Sequence, residues 1–388
     1  MQHLLNVTAR HRQWMIVLGA ALLAAACQST VTIEEAKKIS TSFNDAAFVP
    51  PPRSIKDITA ILDEQELVDP EKTKEKVAKA DAQAPDSGNK TTLLRFYLKR
   101  GLAAGAIGRE VQALEDLRTA FRNLKGARIG GRERIRLLQN LAGVEGNSGN
   151  PRNAIRYMKS AIGKRPTPTA YRQLVEFYAR AGDLTAAETA WKDGKNLISQ
   201  SRERKNISPK QLQQLSIESD RLDNNLYKAR GQWEKAETAL RGAIKTRKEG
   251  SFGSEDASWM PSHQKQLASI LMKQGRLIEA EIMARGALLD SLANIGRNNS
   301  TTADVVRILA TILHRQGRFD AAETLSRTGI DIQTKAGMSP SSRKIAQGRR
   351  FLATVLVSKE NWQGALEVVE RARTDLIEHK KLFNRMFE

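Results

Sequence analysis

A short motif that begins with glycine and ends with alanine recurs along this 388-residue chain, and it constrains the fold more than any other feature. Its first six copies are Gly108–Ala113, Gly149–Ala154, Gly182–Ala187, Gly231–Ala236, Gly275–Ala280 and Gly317–Ala322. A seventh copy, Glu360–Ala365, lacks the leading glycine. Glycine suits a point where a helix stops and the chain reverses with positive φ. Every copy therefore predicts a helix, a tight turn and a second helix.

A second small residue follows each alanine of the motif by seven positions. These residues are Ala120, Ala161, Gly194, Ala243, Ala287, Gly329 and Ala372. Residues seven apart share one face of a helix, where small side chains let a neighbouring helix approach closely. Aromatic residues make up only 5% of the chain, and no long alternation of β-branched residues indicates a sheet. The sequence therefore predicts an all-α protein whose hairpins bury their apolar faces against one another.

The repeated unit resembles the tetratricopeptide repeat (TPR) over about residues 94–376. Its turn positions are 41, 33, 49, 44, 42 and 43 residues apart, and the last three steps resemble the longer repeats of kinesin light chains. The resemblance implies a right-handed superhelical solenoid of about seven hairpins, with the first helix of each hairpin on the concave surface. Asn224 departs from the family pattern, in which a small residue is usual. An unrelated bundle of helical hairpins is the alternative.

The amino terminus has the character of an export signal. Arg10 and Arg12 precede an apolar run over residues 14–26, which is too short to span a bilayer but suits a signal peptide. Cys27, the one cysteine of the chain, follows this run and resembles the acylated cysteine of bacterial lipoproteins. We therefore expect residues 1–26 to be a signal peptide and Cys27 to carry lipid at the periplasmic face of the outer membrane. Because Ala24–Ala26 also suits ordinary cleavage, a periplasmic or secreted protein is the alternative.

Residues 27–92 differ in character from the repeats. We expect a lipidated linker with short helices at about residues 54–67 and 71–82, followed by the solenoid over residues 93–388. Residues 52–63 resemble the segment that precedes the repeats in bacterial proteins with a carboxyl-terminal CHAT peptidase domain, which suggests a truncated sensor module as an alternative. Residues 196–215 interrupt the repeat spacing. They predict either a pair of longer helices, one on each side of Asn206–Pro209, or a flexible break between two parts of the array.

Groups of residues that could perform catalysis are lacking in the sequence. His263 and His314 have no cysteine or carboxylate at metal-ligand spacing, and we expect both to be solvated or to line the groove. The glycine-rich segments lack a phosphate-binding lysine, and no serine lies in a nucleophile elbow. The sequence predicts a protein that is not an enzyme, without a cofactor or a metal.

Charge indicates the kind of partner. The formal net charge is +20, and in an exported protein this favours acidic polypeptides or anionic lipid over nucleic acid. Ten residues before the turn positions stand Leu98, Gln139, Arg172, Arg221, Lys265, Arg307 and Arg350, so the last five form a basic ladder. Two residues before three of the turns stand Arg180, Lys273 and Arg315. These residues predict a basic concave groove.

Arg221 and Asn225, one helical turn apart, resemble the pair with which chaperone-binding repeats hold a peptide carboxylate. The following repeats lack the remaining residues of such a clamp. The sequence as a whole predicts an envelope-anchored scaffold that binds an acidic protein or peptide through the groove and attaches to the membrane through Cys27. Docking of the basic face on an anionic membrane surface, without a peptide, is a further alternative.

Overall fold

The structure is a computed structural model that describes residues 54–64, 70–250, 259–338, 340 and 342–384. The predicted signal peptide and Cys27 lie outside these residues. The chain divides after Glu64 into two compact units. In the first unit, α1 spans Lys56–Glu64, and its apolar residues Ile58, Ile61 and Leu62 share one helical face.

The second unit begins with α2, which spans Pro70–Asp81. Seven hairpins follow it: α3 Lys90–Ala106 and α4 Glu110–Arg122, α5 Gly131–Asn147 and α6 Pro151–Lys164, α7 Pro168–Arg180 and α8 Leu184–Arg202, α9 Pro209–Ala229 and α10 Trp233–Glu249, α11 Met260–Lys273 and α12 Leu277–Asn294, α13 Ser300–Arg315 and α14 Phe319–Lys335, α15 Arg343–Ser358 and α16 Trp362–Asn384. The described residues contain no strand. The predicted all-α array of TPR-like hairpins is confirmed.

All seven predicted turns have the same backbone conformation. The six motif glycines have φ between 70° and 86°, and Glu360 adopts φ 60° in the seventh turn. The N–H of the residue after each turn position donates to the carbonyl five residues earlier, as Arg276 does to Leu271 over 3.0 Å. This bond pairs a carbonyl that the end of the first helix leaves without an intrahelical partner.

The predicted small residues lie at helix crossings. All seven motif alanines are buried, and so are the seven small residues that follow them. Asn224 also has an explanation, since its Nδ2 donates to the carbonyl oxygen of Ala236 across the hairpin over 2.8 Å. The amide therefore pairs a buried polar group where the family pattern has a small residue.

Glutamates tie successive hairpins together. The residue after the motif alanine is Glu188, Glu237, Glu281 or Glu323 in hairpins three to six, and turn residues of the next hairpin bind it. In the fifth turn, Gln274 and Arg276 bind Glu237 at 3.0 and 2.6 Å. In the sixth turn, Gln316 and Arg318 bind Glu281. We call these contacts the turn clamps.

Hairpins three and four are continuous with the rest of the array. α8 extends to Arg202 and α9 begins at Pro209, capped by Ser208 and Gln211, so two longer helices flank Asn206–Pro209 as the first of the two interpretations predicts. Neighbouring first helices also contact one another, as α7 does α9 and α11 does α13. The side formed by the first helices is therefore the concave one.

The array turns back far enough for its edges to meet. Met338 packs against Gly108, and Ser342 Oγ donates to Glu110 Oε1 over 3.3 Å. Arg343 donates to the carbonyl oxygen of Asn147. Burial raises the pKa of Glu110. We call this meeting of the first two hairpins with Met338, Ser342 and Arg343 the closing contact.

Candidate functional site: the basic groove

The concave surface of the first helices α3, α5, α7, α9, α11, α13 and α15 is called the basic groove here. Its cations lie in three clusters, each with fewer carboxylates than cations. Because first helices lie side by side, residues one repeat apart can act on one extended ligand.

The central cluster joins two residues of the predicted ladder. Arg172 of α7 and Arg221 of α9 both bind the buried carboxylate of Glu218, with Nε–Oε2 3.4 Å and Nη1–Oε1 3.0 Å. One carboxylate thus serves two guanidinium groups that are themselves half-buried. Burial lowers the pKa of Arg221, and the nearby Arg172 lowers it further, although Glu218 opposes this. The cluster therefore retains uncompensated positive charge.

Lys228 adds a further cation to this cluster, and the sequence analysis missed it. It lies three residues before its turn, one position from the flank position that holds Arg180, Lys273 and Arg315 in other hairpins. Burial lowers its pKa, and so do Arg172 and Arg180, whereas Glu176 raises it. Arg180 itself binds Glu176 at 2.5 Å. The central cluster therefore sets four cations against the carboxylates of Glu176 and Glu218.

Asn225 has a structural contact of its own. Its Nδ2 donates to the carbonyl oxygen of Arg172 over 3.2 Å, which ties α9 to α7. The amide that the sequence analysis assigned to a peptide carboxylate is therefore engaged within the groove wall.

The second cluster contains the remaining ladder residues, further along the groove. Lys265 of α11 and Lys344 of α15 share Asp304 of α13 at 3.5 and 3.6 Å. Arg307 is half-buried and Arg350 is exposed, and neither forms an ion pair with a described carboxylate. On the flank, Lys273 is exposed without such a pair, and Arg315 Nη1 donates to the Met272 carbonyl over 3.1 Å. Three of these cations are thus available to a ligand.

A third cluster lies where the predicted ladder has only Leu98 and Gln139. Arg95 and Lys99 of α3 face Arg132 and Arg136 of α5 across a pocket. Glu133 supplies the one carboxylate of the pocket lining and binds Arg95 in a bidentate pair of 2.9 and 3.1 Å. Arg95 and Arg136 stand thirteen residues before their turns, one helical turn before the ladder position. The ladder position alone therefore does not predict these two arginines.

Neither histidine is fully exposed, which favours the groove lining over solvation among the two predicted alternatives. His263 is not solvated, because it is buried to 7% exposure with its Nδ1 2.9 Å from the Trp259 carbonyl oxygen. Burial lowers its pKa to about 4. His314 is half-buried, 2.9 Å from Ser358 Oγ. The described residues contain no group of three or more His, Cys, Asp or Glu that could hold a metal ion.

Among the described helices, none is both long enough and apolar enough to cross a membrane. No protein-family model and no curated protein matches the chain.

Several solved structures share the helical-hairpin fold. BtubC (BKLC) from P. vanneervenii is 18% identical over 65% of this chain and 93% of its own, with a TM-score of 0.45. A kinesin light chain-like protein from Podosopora anserina with nearly identical TPR-like repeats is 18% identical over 55% of this chain and 96% of its own, with a TM-score of 0.42. A tetratricopeptide repeat protein from Parabacteroides merdae is 14% identical over 76% and 99%, with a TM-score of 0.40. These likenesses concern the fold alone.

Proposed function

We propose that this chain is a non-catalytic scaffold whose basic groove binds an acidic segment of a partner protein. The observation that carries the proposal is the excess of cations over carboxylates in all three clusters of the groove. In the central cluster the excess positive charge is also partly desolvated, so an incoming carboxylate would restore a favourable environment there. Clusters on successive hairpins favour an extended ligand over a small anion.

Single contacts in such a groove contribute little. An exposed ion pair is worth about 0.2–1 kcal/mol, so affinity depends on several pairs that form together. We therefore expect the affinity to fall steeply with salt, because the Debye length shrinks from about 10 Å at 0.1 M to about 3 Å at 1 M.

The test uses a fluorescein-labelled, glutamate-rich peptide of about 15 residues and measures fluorescence anisotropy. Combined Lys273→Glu, Arg307→Glu and Arg350→Glu should weaken binding about tenfold or more, since these cations have no carboxylate partner in the described part of the chain. Circular dichroism should stay helical, because their side chains do not hold hairpins together.

A matched control reverses Lys159, Lys192 and Lys245, which are exposed on the second helices α6, α8 and α10. This set changes the net charge equally, and peptide binding should persist. Arg285 also lies on a second helix, but it is unsuitable as a control. Its side chain is only 1% exposed and pairs with Glu281. Equal loss in both sets would show that the groove has no special role. Binding to anionic vesicles but not to the peptide would replace the proposal with membrane docking.

We further propose that the scaffold is held at the cell envelope through lipid on Cys27. The support is the position of this cysteine directly after the apolar run over residues 14–26. Wild-type protein should incorporate labelled palmitate and partition into detergent, whereas Cys27→Ser should do neither. Absence of label from wild-type protein would contradict the anchor and favour simple secretion.

A further inference from the structure

The pocket of the third cluster concentrates positive charge at one place in the groove. It has a volume of about 550 Å³ and lies between α3 and α5, with Arg95, Lys99, Arg132 and Arg136 in its lining. Glu133 is the single carboxylate of that lining. Four cations against one carboxylate leave an excess of three positive charges. The space suits a small ligand, since ligand pockets commonly measure about 300–1,000 Å³.

The four cations stand in two pairs, one on each helix. Arg95 and Lys99 are four residues apart on α3, and Arg132 and Arg136 are four residues apart on α5. Residues four apart lie side by side on a helix, where like charges repel each other. Two such pairs beside one pocket raise the electrostatic free energy of the folded chain, and an anion bound between them would lower it.

Glu133 compensates only one of the four cations. It forms the bidentate pair with Arg95. Lys99, Arg132 and Arg136 are exposed, and in the described part of the chain none of them forms an ion pair. Three cations of the pocket are thus available to a ligand.

Charge and the number of acceptor oxygens indicate which anion fits. A carboxylate carries one negative charge and suits a single guanidinium group, as Glu133 suits Arg95. A phosphate monoester carries a charge of about −1.5 to −2 at pH 7 and has three acceptor oxygens, so one phosphoryl group can bind all three remaining cations. Because the planar guanidinium group binds phosphate through two parallel hydrogen bonds, Arg132 and Arg136 also suit this group geometrically.

The pocket has room for the group to which the phosphate is attached. Leu98 and Leu102 of α3 belong to its lining. Leu98 stands at the ladder position, which holds arginine or lysine in the last five hairpins. Apolar side chains beside a few polar groups are typical of small-molecule sites. An alkyl or aryl group can therefore contact the two leucines while its phosphate binds the cations.

We propose that the pocket of the third cluster is a binding site for a phosphate monoester, held by Lys99, Arg132 and Arg136 and carried on an apolar group that contacts Leu98 and Leu102. Whereas the groove as a whole suits an extended acidic segment, this pocket collects its cations around a single small group. The site therefore goes beyond the proposed binding of a partner segment and does not require it. Either a soluble phosphate ester or a lipid headgroup supplies this chemistry.

The experiment titrates the full chain with phenyl phosphate by isothermal titration calorimetry in low-salt buffer free of phosphate. Phenyl phosphate should bind about tenfold or more tightly than benzoate, which carries one carboxylate on the same ring. It should also bind more tightly than inorganic phosphate, because the ring contacts the two leucines. Below about pH 6 its affinity should fall, since the ester becomes a monoanion while the lysine and the arginines stay charged.

A double substitution tests the residues of the site. Arg132→Gln with Arg136→Gln should weaken the binding of phenyl phosphate about tenfold or more, with unchanged helical circular dichroism, because both side chains are exposed. The matched control, Arg122→Gln with Arg152→Gln, removes two exposed arginines from the second helices α4 and α6 of the same hairpins and should bind like wild type. The triple charge reversal that should disrupt peptide binding leaves this pocket intact, so the two proposals can fail separately.

Vesicles separate the two sources of the phosphate. Phosphatidic acid presents a phosphate monoester, and phosphatidylglycerol, a diester, is its control. A preference for phosphatidic acid that the Arg132→Gln, Arg136→Gln variant loses would assign the phosphate to a lipid headgroup, whereas binding of phenyl phosphate without that preference would assign it to a soluble ester. Equal affinity for benzoate and phenyl phosphate, equal loss in both double variants, or no binding of wild type to either monoester would overturn the proposal.

Discussion

His263 shows how the groove controls the protonation of a single side chain. Its ring is buried beside Trp259, with centroids 5.2 Å apart, and Arg221, Arg247 and Arg172 all oppose a further positive charge. Burial is the larger cause of its lowered pKa of about 4. The neutral ring is therefore part of the folded groove wall, and its protonation acts against folding.

We expect His263 to make the fold less stable in acid. In the unfolded chain its pKa is about 6.5, so between about pH 6.5 and 4 the unfolded chain binds a proton that the folded chain does not. This histidine should therefore lower the free energy of unfolding by up to about 3 kcal/mol as the pH falls through that window. Urea unfolding at about pH 7 and about pH 4.5 measures the loss.

The control is His263→Asn, whose amide can still reach the Trp259 carbonyl but does not titrate. Asp220 acts in the opposite direction, because burial and the nearby Asp223 raise its pKa to about 6 and its proton favours the folded chain in acid. The comparison between wild type and variant cancels that contribution. Equal pH dependence in both proteins would contradict the assignment to His263.

At the scale of helices, the position of the second small residue is packed more tightly in some hairpins than in others. The second small residue is glycine in hairpins three and six. A Cβ atom on Gly194 would lie 2.8 Å from Leu222 and 2.9 Å from Tyr171, whereas on Gly329 its nearest neighbour, Val306, would be 3.6 Å away. The α7–α8–α9 crossing therefore needs glycine, and the crossing under α14 has room for a methyl group.

The same substitution at these two positions should have opposite effects. Gly194→Ala should destabilise the protein by about 1–3 kcal/mol through overpacking. Gly329→Ala should stabilise it by about 0.5–1 kcal/mol, because alanine orders the helix with less loss of backbone entropy. Thermal unfolding of the two variants beside wild type checks this, and equal shifts would contradict the two crossing geometries.

The turn clamps differ in how deeply they are buried. Glu281 is 1% exposed and binds Arg285 at 2.9 Å as well as Arg318, whereas the side chain of Glu188 is 36% exposed. Glu281→Gln should cost about 2–3 kcal/mol, since Arg285, Arg318 and Gln316 all donate to this buried carboxylate and a neutral amide accepts more weakly. Glu188→Gln should cost no more than about 1 kcal/mol. Chemical unfolding measures both, and a smaller loss at Glu281 would mean that Arg285 is stabilised mainly by other groups.

At the scale of the whole hairpin array, the closing contact joins residues 232 positions apart. In an array where each repeat touches only its neighbours, a weakened sixth hairpin would leave the first unaffected. Here Met338→Ala should speed hydrogen exchange in α3 and α4, because it removes the side chain that packs against Gly108. Leu240→Ala, a core substitution in α10, is the control that should act mainly on the fourth hairpin and its neighbours. Unchanged exchange in α3 and α4 would show that the closing contact carries no stability.

What the sequence could predict followed from the repeat. The turn glycines and the buried alanines recur at fixed places, so the hairpins could be predicted from them. The counter-ions could not, because Glu218 and Asp304 stand thirteen residues before their turns, a position that holds arginine in the first two hairpins and a neutral residue in the others. Arg95 and Arg136, which line the pocket of the third cluster, lie one helical turn before the ladder position. The closing contact depends on how far the array curves, which is the sum of many small rotations that no single spacing records.

The turn clamps also bear on how such a chain could change its length. Because Glu237 meets Arg276 and Glu281 meets Arg318 through equivalent atoms, deleting residues 276–317 would bring Arg318 to the place of Arg276 and create a junction of the same kind. Duplication of the same segment would do likewise. Unequal recombination within the gene could therefore remove or add an internal hairpin and keep the junctions between neighbours, but the closing contact would be lost because the array would curve by a different amount. The first hairpin has no such freedom, since it must fit both α2 and the segment around Met338.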